Sequence, residues 1–94
     1  GEALAALHAQ LGSPWRVVDA HHLEREFRFP DFKSALAFVN AVGNIAEEEG
    51  HHPDIYLCWG KVIVKIWTHK VDGLTENDFI WAAKVEQAYA DAMQ

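Results

Sequence analysis

Six histidines in 94 residues are a dense supply of groups able to exchange protons near neutral pH, since an unperturbed imidazole titrates at about 6.5. His51 and His52 are adjacent and are followed by Pro53. A proline restricts the residue before it to extended backbone, so the pair sits on a loop whose successive side chains diverge. His69 closes the run Lys61 to Thr68, which reads as a strand, and lies on the face opposite Val62, Val64 and Ile66. If that strand pairs with the one starting after Pro53, the hairpin returns His69 to the level of His51 and His52, and three imidazoles line one cleft.

Such a trio has three uses. A metal site is disfavoured, because adjacent histidines chelate one ion poorly and no histidine pair has the four-residue helical spacing; we expect no metal and no cofactor. The second use is purely structural, each ring only satisfying a loop hydrogen bond, the bland outcome for any single histidine. General acid and base catalysis is the third use. It fits a chain whose Ser13, Ser34 and Cys58 sit in a helix-ending turn, a first helical turn and a strand interior, none of them the setting of an activated nucleophile.

The elements that must position these residues follow from periodicity. Leu4, Leu7 and Leu11 give a short helix over Glu2 to Leu11, stopped by Gly12, Ser13 and Pro14. Trp15 to Val18 and Leu23 to Phe29 read as strands joined through Asp19, Ala20 and His21, with His22, Glu24, Glu26 and Arg28 facing solvent. Asp31 caps a central helix whose apolar stripe is Phe32, Ala35, Leu36, Val39, Val42, Ile45 and Ala46, and Gly50 suits the position just past its end. Asp54 to Trp59 and Lys61 to Thr68 form a second hairpin turning near Gly60. Its outer face carries Ile63, Lys65, Trp67 and His69, with Leu57 joining from the neighbouring strand, a surface that a partner subunit would cover as readily as it would stay exposed. Thr75 with Asp78 makes a capping box, and Leu74 with Phe79 a hydrophobic staple, for a last helix burying Ala82, Val85 and Tyr89. The expected fold is α+β in two layers: a four-stranded antiparallel sheet, three helices on one face, order α-β-β-α-β-β-α, in a single domain over residues 1–94.

A formal charge of -6, from fourteen acidic and eight scattered basic residues, has the wrong sign for a phosphate backbone, so no direct nucleic-acid partner is expected. Eighteen consecutive apolar residues occur nowhere and no signal segment opens the chain, which points to the cytoplasm and away from a membrane. Gly1 in place of Met suggests a processed or trimmed chain. Cys58, the lone cysteine, forms no internal disulfide, so a domain this small is expected to gain stability by association.

Glu47, then three residues, His51, His52 and Pro53, then Trp59, the strand running to Thr68 and His69, and Gly73, Leu74, Thr75 and Asp78 together form an ordered set. With Trp15, Leu23, Arg25, Phe27, Phe29 and Phe32 upstream, this set resembles the pterin-4a-carbinolamine dehydratases over almost the whole chain beyond the first helix. The resemblance implies dehydration of a 4a-hydroxytetrahydropterin to the quinonoid dihydropterin, in support of tetrahydrobiopterin recycling. Loss of the C4a hydroxyl needs a proton donor and loss of the N5 proton an acceptor, a division of labour two imidazoles can serve. It implies His51 and His69 as proton-transfer groups and His52 as a ring-holding, assisting group, with Glu47, Pro53, Thr68 and Trp15 bordering the pterin. It also implies a homodimer or homotetramer. In animals the family doubles as a dimerisation cofactor of a homeodomain transcription factor, so a protein-interaction module is the alternative function.

Glu47 is expected either to orient an imidazole or to stand solvated in its acidic run, Asp78 to act as a helix cap, and Trp15 to be core or a stacking wall. Leu57, Ile63 and Trp67 depart from the small or polar residues common in the family. His21 and His22 are read as solvated turn residues, and His8 as exposed.

Overall fold

The computed structural model describes residues 2–11 and 14–94. Gly1, Gly12 and Ser13 lie outside the described residues, and with Gly12 and Ser13 the expected stop of the first helix. The order is α1 (Glu2–Leu11), β1 (Arg16–Val18), β2 (His22–Arg28), α2 (Phe32–Glu49), β3 (Asp54–Cys58), β4 (Lys61–Ile66), a one-turn 3-10 helix (His69–Val71) and α3 (Glu76–Ala92). All pairings are antiparallel and the sheet order is β1-β2-β4-β3, which puts β2 and β4 inside and β1 and β3 at the edges. The expected α+β two-layer fold is the observed one.

The inner sheet face comes from the alternation in β2 and β4. Leu23, Phe27, Val62, Val64 and Ile66 are fully buried, against Ala35, Phe38, Val42 and Ala46 of α2 and Phe79, Trp81, Ala82 and Val85 of α3. Each of the Val, Leu, Ile and Phe side chains contributes about 1.5–3 kcal/mol by leaving water. The centre is aromatic: Phe38 lies 4.7 Å from Phe27, 5.2 Å from Phe29 and 5.6 Å from Tyr89, centroid to centroid.

Three expectations about faces change. On α2 the core residue is Phe38, while Phe32 and Leu36 are exposed, because the aromatic cluster of β2 and α3 sets the helix's rotation. Leu57 does not join the outer face: it pairs with Val62 and packs with the core, and Tyr56, opposite Ile63, takes the outer position. The last strand ends at Ile66; Thr68 bridges to Gly73 instead, and His69 opens the 3-10 turn.

Turns and ends hold the site's supports. The tip of the first hairpin takes positive φ at Asp19 and Ala20 and closes with the His21 amide donating to the Val18 carbonyl at 2.9 Å. The second hairpin turns tightly at Gly60, where a Cβ would stand 3.0 Å from the Phe29 carbonyl oxygen. His8 is half-buried, with its Nε2–H donating to the Trp15 carbonyl at 2.6 Å, where exposure was expected. No helix among the described residues is long and apolar enough to cross a membrane.

Candidate active site

The end of α2 aims His51. Gly50 adopts the left-handed conformation (φ 60, ψ 35), which a side chain would strain, and its amide and that of His51 both donate to the Ala46 carbonyl. The chain reverses there and lays the His51 ring across the start of α3. Its Nε2–H donates to Asp78 Oδ1 at 2.6 Å.

Asp78 is the one charged residue fully buried among those described. Its Oδ2 accepts the Thr75 amide at 2.8 Å, the capping-box contact that starts α3, and also the Thr68 hydroxyl at 2.9 Å. Because the Thr68 proton goes to Asp78, the Thr75 hydroxyl donates to Thr68 Oγ1 at 2.9 Å. A buried carboxylate is tolerable only when its oxygens are satisfied, and here three protein donors do so. The helix-cap reading of Asp78 is correct and incomplete: the oxygen the cap leaves free holds His51. The available signal was a capping-box carboxylate whose second oxygen had no assigned donor.

His51 and Thr68 share one cleft with Glu49, Gly50, Asn77, Ile80 and Trp81. The β3–β4 register runs only to Asp54 opposite Lys65, and beyond it Thr68, not His69, joins His51 in the cleft, so of the three imidazoles expected to line one cleft only His51 lines this one. Trp81 is buried behind the ring, meeting His51 edge-on with centroids 6.4 Å apart, and its indole N–H is buried without a partner among the described residues. The cleft is about 350 Å³, within the range of roughly 300–1,000 Å³ usual for small-molecule sites. A groove of similar size between α1 and α3 carries no histidine.

Neither His52 nor His69 lines this cleft, nor do Glu47, Pro53 and Trp15, and each lies in a different setting. His52 points to Glu47, whose Oε2 accepts its Nε2–H at 2.5 Å, so Glu47 orients His52 and not His51. Both are exposed, 57% and 78% by side chain, so the pair is weak. Pro53 is half-buried between them and β3. His69 is exposed at the start of the 3-10 turn, one residue beyond Thr68, with its ring against Trp67. Trp15 is core: 1% exposed, edge-on to Phe27, its Nε1–H donating to Glu86 at 2.8 Å, it leaves no ring face free for a ligand. His21 and His22 are half-buried and hydrogen-bonded, not solvated.

Comparison with known proteins adds the following. The family model described as Pterin 4 alpha carbinolamine dehydratase matches residues 1–88. A protein of Alkaliphilus metalliredigens, provisionally named pterin-4-alpha-carbinolamine dehydratase, is 53% identical over 83 residues, covering 88% of this chain and 75% of that protein. One of Rubrobacter xylanophilus with the same provisional name is 56% identical over 87 residues, covering 93% and 80%. Among solved structures, a protein of Brucella melitensis described as a transcriptional coactivator/pterin dehydratase superposes with a TM-score of 0.84 at 29% identity, covering 95% of this chain and 96% of that one. A pterin dehydratase-like protein described as a RuBisCO assembly factor in the alpha-carboxysome shares the fold, with a TM-score of 0.70 at 23% identity, covering 84% and 93%.

Proposed function

Since the chain belongs to the pterin 4 alpha carbinolamine dehydratase family, we propose that it dehydrates a 4a-hydroxytetrahydropterin by histidine acid and base catalysis at the His51 cleft. One observation carries the reading: a buried carboxylate fixes the ring of a histidine that lines a cleft of ligand size.

The hydrogen bond to Asp78 keeps the proton of a neutral His51 on Nε2, which leaves the Nδ1 lone pair as the acceptor. When Nδ1 takes a proton, the imidazolium faces a carboxylate 2.6 Å away, so the charge is met without rearrangement. His51 thus suits either end of the reaction: an imidazole removes the N5 proton, and an imidazolium protonates the departing C4a hydroxyl as the C–O bond breaks. His69 takes the complementary step, and the proton it gains or gives restores the pair through solvent. His52, held by Glu47, assists in seating the pterin with Pro53 and Thr68.

We also assign the protein to tetrahydrobiopterin recycling in the cytoplasm, as an assembly of two or four copies. The exposed ring of Tyr56, opposite Ile63 on the outer sheet face, supports association. The coactivator description belongs to the Brucella protein. Initial rates of 4a-hydroxytetrahydropterin dehydration by His51→Ala and His69→Ala test the assignment. Each is expected to fall about 100- to 10,000-fold, and undiminished turnover in both sinks it.

A further inference from the structure

The half of the site around His69 has its own supporting structure. Among the described residues no hydrogen bond reaches the His69 ring; what it touches is Trp67, with centroids 4.7 Å apart and planes at 53°. The same indole meets two more imidazoles, His21 at 5.0 Å and His22 at 5.9 Å. These two are locked in turn. His21 Nε2–H donates to Asp72 at 2.8 Å, so its Nδ1 accepts, and His22 Nδ1–H donates to it at 3.1 Å. Asp72 ends the 3-10 turn that starts at His69, and its own amide donates to the His69 carbonyl at 3.1 Å. One exposed hydrogen bond and the indole contacts thus tie the first hairpin to the turn carrying His69.

We propose that Trp67 is a positioning residue for His69, holding by ring contact an imidazole that nothing else orients, with the His21–His22–Asp72 chain holding Trp67 in place. This rests on the assignment of His69 to proton transfer. An exposed imidazole samples several rotamers, and only those directed at the substrate are productive; a wall that removes the others raises turnover without adding a contact to substrate.

The test is a cycle of Trp67→Thr, His69→Ala and the double variant in steady-state dehydration, with Trp67→Phe as the conservative control. Trp67→Thr should lower kcat about 3- to 10-fold with KM unchanged, the rate equivalent of one aromatic pair, and Trp67→Phe should restore most of it. In the His69→Ala background Trp67→Thr should cost nothing further. Equal losses in both backgrounds, or a raised KM at constant kcat, overturn the inference while leaving the catalytic assignment standing. Wild-type turnover in His69→Ala removes the assignment and the inference together. Should Trp67→Thr fail to fold, the unaltered protein still decides: the His69 ring protons must be shifted upfield by the indole ring current in the NMR spectrum. Unshifted resonances overturn the inference.

Discussion

Asp78→Asn keeps the size of the side chain and exchanges one carboxylate oxygen for an amide nitrogen. The site is fully buried, so water cannot repair a mismatch. Of the three donors, the Thr75 amide cannot turn away, and the Thr68 hydroxyl shares its oxygen; the asparagine oxygen must therefore stay with them. Its NH2 then faces His51 Nε2, which has to give up its proton and accept, so the ring switches to the Nδ1–H tautomer. A charge-assisted bond of about 1.5–3 kcal/mol becomes a neutral one of about 0.5–1.5 kcal/mol, so the variant should be about 1–2 kcal/mol less stable and still folded. The chemical cost is larger, because a neutral His51 then presents a donor where an acceptor is needed. In serine proteases the analogous aspartate-to-asparagine exchange costs about 10,000-fold in turnover; here we expect about 100- to 10,000-fold. Nitrogen-15 NMR of the His51 ring reports the tautomer, urea denaturation the stability, and stopped-flow absorbance the dehydration rate. A variant that keeps the Nε2–H tautomer, or that switches it and still turns over at the original rate, refutes the reasoning.

Other consequences are testable with less machinery. Thr68→Val removes one donor to Asp78 at constant shape and should cost about 1 kcal/mol in urea denaturation, whereas an unchanged midpoint would mean the hydroxyl contributes nothing. Phe38→Ala opens a cavity among Phe27, Phe29 and Tyr89 and should cost about 3–5 kcal/mol, in contrast to Phe32→Ala on the exposed side of α2, which should stay within about 1 kcal/mol. The hydrogen bond from the Ser34 amide holds the Asp31 carboxyl below the usual carboxylate range. Its contribution to stability is accordingly complete above that range and disappears as pH falls through the lowered folded-state value, and Asp31→Asn should lack this acid limb in thermal midpoints followed by circular dichroism. Incubation with a chelator should leave dehydration unchanged, since proton transfer by imidazoles uses no ion; lost activity would overturn the mechanism.

Much of the scaffold was readable because its signals are local. Val62, Val64 and Ile66 alternate with polar or outward residues, Asp31 and Gly50 bracket α2, and Thr75 and Asp78 start α3. The misread faces come from two different causes. On α2, apolar residues cover so much of the circumference that several rotations satisfy the periodicity, and only the distant Phe27, Phe29 and Tyr89 choose Phe38 over Phe32 and Leu36. Leu57 was a matter of parity: with the turn at Trp59 and Gly60, Cys58 pairs with Lys61, and that alone puts Leu57 beside Val62. At the site, the three candidate histidines were visible as residue types, but their partners were not. Which carboxylate meets which ring depends on loops and on a register between elements 27 residues apart, as with His51 and Asp78. The aromatic contacts of His21 and His22 with Trp67 were out of reach for the same reason, since they join the hairpin tip to a turn across the sheet.

Asp78 starts a helix with one oxygen and steers a ring with the other. Drift at this position is therefore policed twice, and selection for folding alone would preserve the carboxylate on which the proposed proton transfer by His51 relies. In relatives with other duties, an intact carboxylate here is a poor witness to chemistry, and the surface rings at His52 and His69, which the fold does not need, are the better place to look for decay.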